Sequence, residues 1–413
     1  VTNHTKDIRK VCLWGAIACT PLTDPMFINE EGTKSVIVDK QPQELVYNVA
    51  TDLFYVVNQL GDSVSVVNPS GELVTTIDLL QGNSQTDSGS GVGERRAVNP
   101  TILSVPGSIS PVALAVNTSA NSVEYGVVAV ACSVSNEVVF INQDFTILRR
   151  ESVGNRPVDI VYNPVDQCYY TANLVSGTIS KICINRRVNN LPLVPGARTL
   201  GVDTDSGDLY IHNIVDGAIN VYDLQGNQKG SVGSVVADIV SFQFHPVTKN
   251  MYMVLNNSNS VSVLDTVRFG AITKLRVGKD PVAIAYNSHN GLMYVGNRGD
   301  QTFSRISPKH QVLDTIKTES FGLGLAISSK EEIIGVSNSV DDTVSISGLQ
   351  SGPTVTVNEE YYEDREDFQH NPAMVGHVKL VASGEDRINA LQITEKSVTG
   401  TEICKTISLS NSQ

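Results

Sequence analysis

The chain has 413 residues, 41% of them hydrophobic, enough for two or three ordinary domains or for one large repeat ring. Its 30 basic and 43 acidic side chains leave a net charge of −13, and basic residues gather no further than pairs such as Arg149-Arg150, which argues against a nucleic-acid partner. No apolar run approaches the roughly 18 residues that span a bilayer, and six cysteines without a Cys-x-x-Cys pair point neither to a disulfide-dense fold nor to zinc or redox chemistry.

Residues 1–35 precede everything periodic. They are expected to be an N-terminal arm that covers an exposed edge or a neighbouring subunit; the alternative is a secretion signal, whose outline Lys6 to Lys10 followed by Val11 to Ala18 has, with Ala16-Ile17-Ala18-Cys19 resembling a lipobox. Ser35 to Asp39 then alternates like a strand although no sheet comes before it. It is expected to complete the last sheet of a ring, because pairing the two ends removes open edges.

Seven copies of one unit follow, entering at residues 42, 111, 157, 196, 238, 281 and 322, in steps of 69, 46, 39, 42, 43 and 41. The clearest copy runs from Arg156 to Cys183. Pro157 cannot donate to a ladder and marks a strand entrance, after which Val158, Ile160 and Tyr162 alternate with Asp159 and Val161. Asn163 to Asp166 supplies a turn, Cys168 to Asn173 a second strand, Leu174 to Gly177 a second turn, and Thr178 to Cys183 a third strand. The antiparallel register that sets Asn173 against Thr178 also sets Cys168 against Cys183, so these two either form a disulfide or lie together as thiols. A disulfide there would place the chain in an oxidising, extracytoplasmic setting. A step of about 40 to 45 residues with four strands is the pitch of a propeller blade, and stacking blades around an axis creates the core that a single blade cannot make.

The second strands Phe54-Tyr55-Val56-Val57-Asn58, Tyr169-Tyr170-Thr171-Ala172-Asn173, Leu209-Tyr210-Ile211-His212-Asn213 and Met293-Tyr294-Val295-Gly296-Asn297 resemble the Tyr-Val-Thr-Asn (YVTN) β-propeller repeat. Third strands such as Ser260 to Asp265 resemble its companion TVSVID pattern. The resemblance spans roughly residues 36–350; the second and seventh copies lack the tyrosine. It implies an all-β, seven-bladed propeller over residues 36–357, of a kind found in surface-layer and secreted proteins and, in similar blades, in lactonase-like and cytochrome-associated enzymes.

The long first step places an exposed insertion at residues 82–110, rich in Gly and Ser. Its Asp87, Arg95 and Arg96 are candidate partner contacts, because long loops on rigid scaffolds often carry function. Arg298 and Asp300 flank Gly299 in an integrin-type tripeptide at a hairpin tip and are candidates too, although the blade mates Leu60-Gly61-Asp62 and Val215-Asp216-Gly217 show that turn chemistry explains the spacing. Asp203 to Asp208 alternates oxygens like the start of a calcium loop but lacks a closing glutamate and coincides with a repeat turn. No Gly-x-Ser-x-Gly elbow, His-Glu-x-x-His helix, phosphate loop or Cys-x-x-Cys-His haem site occurs, so no catalytic residue, metal or cofactor is expected.

After the seventh copy, Glu359 to Asp367 forms an acidic linker. Val378 to Ala382, Ala390 to Thr394 and Glu402 to Leu409 alternate as three strands, too few to stand alone, so residues 358–413 are expected to be a small β module that docks elsewhere. The stretch from Asn371 to Ile393 resembles terminal β modules of phage virion proteins. Together these features point to a non-enzymatic interaction or structural protein of a secreted, cell-surface or virion setting. Such a protein would bind a protein partner, a receptor or a glycan through blade loops, with no nucleic acid and no transmembrane segment. The alternative is a lactonase-like hydrolase in the central channel, which needs carboxylates, His or Arg converging there.

Overall fold

In the computed structural model, the described residues are 26–28, 33–80, 107–184, 189–191, 194–233, 238–318, 322–330, 332–351, 375–382, 388–396 and 402–408. Seven antiparallel sheets follow one another as the blades of a β-propeller, with a single 3-10 turn at Asn256–Ser258 as the described helix. Blade one is Pro42–Asn48, Leu53–Asn58, Ser63–Val67 and Leu73–Asp78 in spatial order. The inner strands of blades two to seven are Pro111–Val116, Pro157–Asn163, Ala197–Val202, Ile239–His245, Pro281–Asn287 and Leu325–Ile327. No described helix is long and apolar enough to cross a membrane.

Because each blade is covered on both faces, its second strand loses the usual in-out alternation; Cys168–Asn173 is buried throughout. The core therefore lies in layers between blades. Tyr55, Val57, Val64 and Val66 of blade one pack with Leu114, Val128, Val130 and Val139 of blade two. The last layer closes the ring, as Val36, Ala326, Val344 and Ile346 pack with Leu45, Phe54 and Val56 of blade one.

The outer strand of blade seven is Lys34–Ile37, which pairs antiparallel with Thr343–Ser351 and sets Val36 against Val344. Val38 N–H then donates to the Asp342 carbonyl at 2.9 Å, and Gln41 N–H to Asp342 Oδ1 at 2.7 Å. The same side-chain latch recurs between other blades: Asp62 Oδ1 accepts Ser110 N–H, Asn136 Oδ1 accepts Arg156 N–H, and Asn259 Oδ1 accepts Asp280 N–H. All four latch residues sit at the left-handed corner of a hairpin, which Asn and Asp tolerate better than other non-glycine residues.

The recurring asparagine and serine or threonine pattern has a direct cause. Asn173 Nδ2 donates to Thr178 Oγ1 and Ser180 Oγ, Asn297 to Thr302 and Ser304, and Asn338 to Thr343 and Ser345. Asn58 makes the same pair of bonds to Ser63 and Ser65. Each amide thus pins the hairpin from second to third strand inside the ring, where an unpaired polar group would be costly. Inner strands end on a second pin: Asn48 Nδ2 donates to the Gly126 carbonyl and Asn163 Nδ2 to that of Gly207, each reaching the next blade's turn.

The propeller lies within a compact unit of Glu30–Gly348. A second unit comprises Val1–Asn29 and Leu349–Gln413, in which Met26–Ile28 pairs with Leu349 to Ser351. It also holds a three-stranded sheet of Val375–Ala382, Ile388–Lys396 and Glu402–Ser408. The signal-like stretch 6–19, the linker at 359–367 and the expected propeller boundary at 357 lie outside the described residues.

Cys168 pairs with Cys183 in the ladder and the two form a disulfide, while Cys132 is a buried free thiol. The bond sits in the blade whose outer strand is the shortest, Asn189–Asn190, so it fastens a third strand that has little ladder on its far side. With a sequence separation of 15 between the cysteines, replacing both by alanine is expected to cost about 3 kcal/mol of unfolding free energy. Urea titration checks this, and an unchanged midpoint would show that the ladder alone holds blade three.

Candidate functional site: the axial channel

The inner strands surround a cavity of about 1020 Å³ to which all seven blades contribute. Six of the inner strands carry a bulge just after the entrance, between Pro157 and Asp159 in blade three and at the matching place in the others. A bulge re-aims side chains, and here it defines a third position that lines the channel in every blade. That position reads Glu44, Ala113, Asp159, Thr199, Ser241, Ala283 and Gly324 around the ring.

Two of the seven are carboxyls, on either side of Ala113. Glu44 Oε2 accepts the Leu114 N–H of the next blade at 3.1 Å. Asp159 Oδ2 accepts the Leu200 N–H of its next blade at 2.7 Å, and Oδ1 accepts Ile160 N–H at 2.8 Å. Both are partly exposed, and both line the channel. Loss of hydration raises Glu44 from 4.5 to about 8, with the Asp159 charge adding to the effect and the Leu114 bond opposing it. Burial likewise raises Asp159 from 3.8 to about 6, against its two backbone bonds. Both carboxyls are thus pushed above their ordinary range and titrate as a pair, keeping protons that free side chains would have released.

One mouth of the channel carries Arg156, Arg198 and Arg298. Arg198 pairs with Asp238 at 2.7 Å and Arg298 with Asp280 at 2.6 Å. Asp300 accepts Lys279 N–H and the Thr302 hydroxyl, so both candidate residues of that tip are engaged within the fold. Asp87, Arg95 and Arg96 lie outside the described residues. Asp203 Oδ1 accepts Asp205 and Ser206 N–H, which makes the calcium-like stretch a hairpin turn, and among the described residues no three His, Cys, Asp or Glu side chains gather as metal ligands. His245 substitutes for the asparagine pin, with Nδ1 accepting Val247 N–H, and His212 is buried in the second strand. Neither borders the cavity.

The carboxyl pair is absent from the sequence-derived candidates, since Asp159 passes as the polar half of a strand and Glu44 as a residue before the regular alternation. Aligning the seven copies on that single position is the signal that would have found them.

No protein-family model and no curated protein sequence matches this chain. Its fold matches solved structures. A streptogramin B lyase superposes with a TM-score of 0.59 and 12% identity, covering 77% of this chain and 97% of that one. A catalytically inactive virginiamycin B lyase from Staphylococcus aureus with quinupristin gives 0.58 and 12%, covering 77% and 100%. The β-propeller domain of Myceliophteria thermophila Cps50 (Swd1) gives 0.58 and 8%, again covering 77% and 100%. At such identities the likeness shows the seven-bladed all-β fold and carries no residue across.

The protonated pair makes stability depend on pH in a defined direction. Between 4.5 and about 8 the folded chain holds a Glu44 proton that the unfolded chain has released, so stability falls as pH rises through that window. Asp159 adds the same sign between 3.8 and about 6. Thermal melts should drop steadily from pH 5 to 8 in the native chain and much less in Glu44→Gln; parallel curves would contradict the assignment.

Proposed function

We propose that this chain is a non-enzymatic interaction propeller of YVTN type, working on an extracytoplasmic surface, secreted, cell-bound or on a virion, and holding a partner protein on one face. The observation that carries the reading is a ring of aliphatic tips. In the turn from second to third strand, two residues past the strand's end, five blades place Leu60, Val134, Val175, Val215 and Val340, each 60 to 93% exposed. Blades five and six have Asn257 and Gly299 there. Single exposed aliphatics need no explanation, but recurrence at one structural position on one face offers a partner a repeated set of apolar contacts. At the matching turn on the opposite face three blades carry an exposed aliphatic, Val123, Val165 and Val247, and only the last two stand at one equivalent position. The described ends of the long insertion, Leu80 and Gly107, border the tip face, where Asp62 holds Ser108, Ile109 and Ser110. The insertion's Asp87, Arg95 and Arg96 are proposed to add polar contacts. The Cys168–Cys183 bond supports the extracytoplasmic setting.

A second reading, a hydrolase in the channel, is favoured by two carboxyls, Glu44 and Asp159, that line one cavity and are both raised by burial, as general acid and base roles require. Acid release from a lactone panel separates it from binding alone.

The interaction reading is tested by photo-crosslinking in the cell or particle that makes the chain, with p-benzoylphenylalanine placed at Val175 or Val215 and, as control, at Val165 or Val247. Adducts to one protein from the first pair alone are expected. Equal labelling from both faces, or none from either, would remove the basis for the reading.

A further inference from the structure

We propose that the axial channel is a binding site for a small organic cation, an amine carried on an apolar body, held between Glu44 and Asp159. The proposal is independent of the tip face and of any catalysis. Its first support is a comparison the ring makes with itself. The third inner-strand position does its structural work with Ala113, Thr199, Ser241, Ala283 and Gly324 in five blades, so the architecture does not require a carboxyl there. Two blades nonetheless carry one. Each carboxyl bonds the next blade's N–H, but five blades join without such a bond. A dehydrated acid pair facing a cavity where most blades do without one points to a ligand.

The second support is the space and its lining. A cavity of about 1020 Å³ is of the size that holds a small molecule. Among its lining side chains the partly exposed Val112, Val158, Val240, Phe242 and Val282 are apolar, beside polar ones such as Gln43 and Gln243. Glu44 uses Oε2 on Leu114 N–H, and among the described residues no hydrogen bond reaches its Oε1. A third support is the route. At the arginine-bearing mouth Arg198 and Arg298 are ion-paired and Arg156 leaves one positive charge, whereas the opposite end, lined by Thr118, Tyr162, Pro164, Val202, Thr204 and Phe244, has no charged lining residue. A positive ligand can enter there without meeting repulsion.

The ligand class follows from charge. An anion held between Glu44 and Asp159 would be repelled as they ionise, and a neutral polyol would gain hydrogen bonds there but no ion pair. A small metal ion would find too few protein ligands, since no third His, Cys, Asp or Glu among the described residues joins the pair. An ammonium group fits, and its approach favours the ionised form of both acids. The charged or titratable groups that share the channel with Glu44 are Asp159, Tyr162, Arg156, Arg198, Asp238 and Arg298, and Asp159 is the one whose charge raises Glu44. Binding therefore displaces a proton from the pair, and affinity climbs with pH until Glu44 is ionised in the free protein.

Isothermal titration of the full chain with hexylamine, hexanol and hexanoate at pH 6, 7 and 8.5 tests this. Hexylamine is expected to bind about tenfold or more tightly than hexanol, with hexanoate weakest. At pH 7 the heat should vary with buffer ionisation enthalpy as roughly one proton leaves per ligand. Glu44→Ala, the residue that blades two and six already carry in that place, combined with Asp159→Asn, should reduce hexylamine to the affinity of hexanol. Melting curves establish that this variant folds. Should it not fold, the buffer dependence of the native chain decides alone. Equal binding of amine and alcohol, affinity independent of pH, or no binding of hexylamine overturns the proposal.

Discussion

Everything in the propeller depends on one pairing between distant parts of the chain. Lys34–Ile37 lies against Thr343–Ile346, more than 300 residues away, and supplies the outer strand that blade seven cannot provide from its own repeat. The joint uses the parts that hold the other blades together: an apolar layer, here Val36 and Val344 against Leu45 and Phe54, and a left-handed Asp342 whose carboxylate takes the next blade's entrance N–H. Without it, both faces of the joint would open to water and the inner strands would have no reason to face one axis. Close approach is tight here: a Cβ on Gly324 would lie 2.7 Å from the Gln43 carbonyl oxygen.

Much of this was legible in the sequence because the ring repeats its physics. The Asn-and-Thr signature could be read as a pattern, and the structure gives it a mechanism in amide bonds such as Asn297 to Thr302 and Ser304. The register placing Cys168 opposite Cys183 followed from counting alone, since ladder pairing is fixed once a hairpin tip is known. Closure by the leading strand was also readable, because an alternating segment with no preceding sheet has to find a partner.

The channel was not legible, for a physical reason. A bulge between Pro157 and Asp159 breaks the two-residue period where the side chains that line the axis are chosen, so periodicity assigns them no face. Nor could the sequence say that Glu44 and Asp159 share a space, since the two are joined only through the curvature of three blades. The tip ring escaped notice for a different reason. Leu60, Val175 and Val340 are unremarkable singly, and their meaning lies in occupying one position seen from one side.

The account makes the closed ring the cause of both candidate surfaces, the channel and the tip face. Native-state hydrogen exchange at the Val36 and Val344 amides tests it most directly. If closure is the joint on which the ring depends, the protected amides of this pair exchange only on global unfolding, at the same slow rate as the ladder Tyr170 and Lys181 share in blade three. Exchange at residues 34–37 within seconds, while blades two to six stay protected, would show that the propeller holds without that strand and would contradict the account.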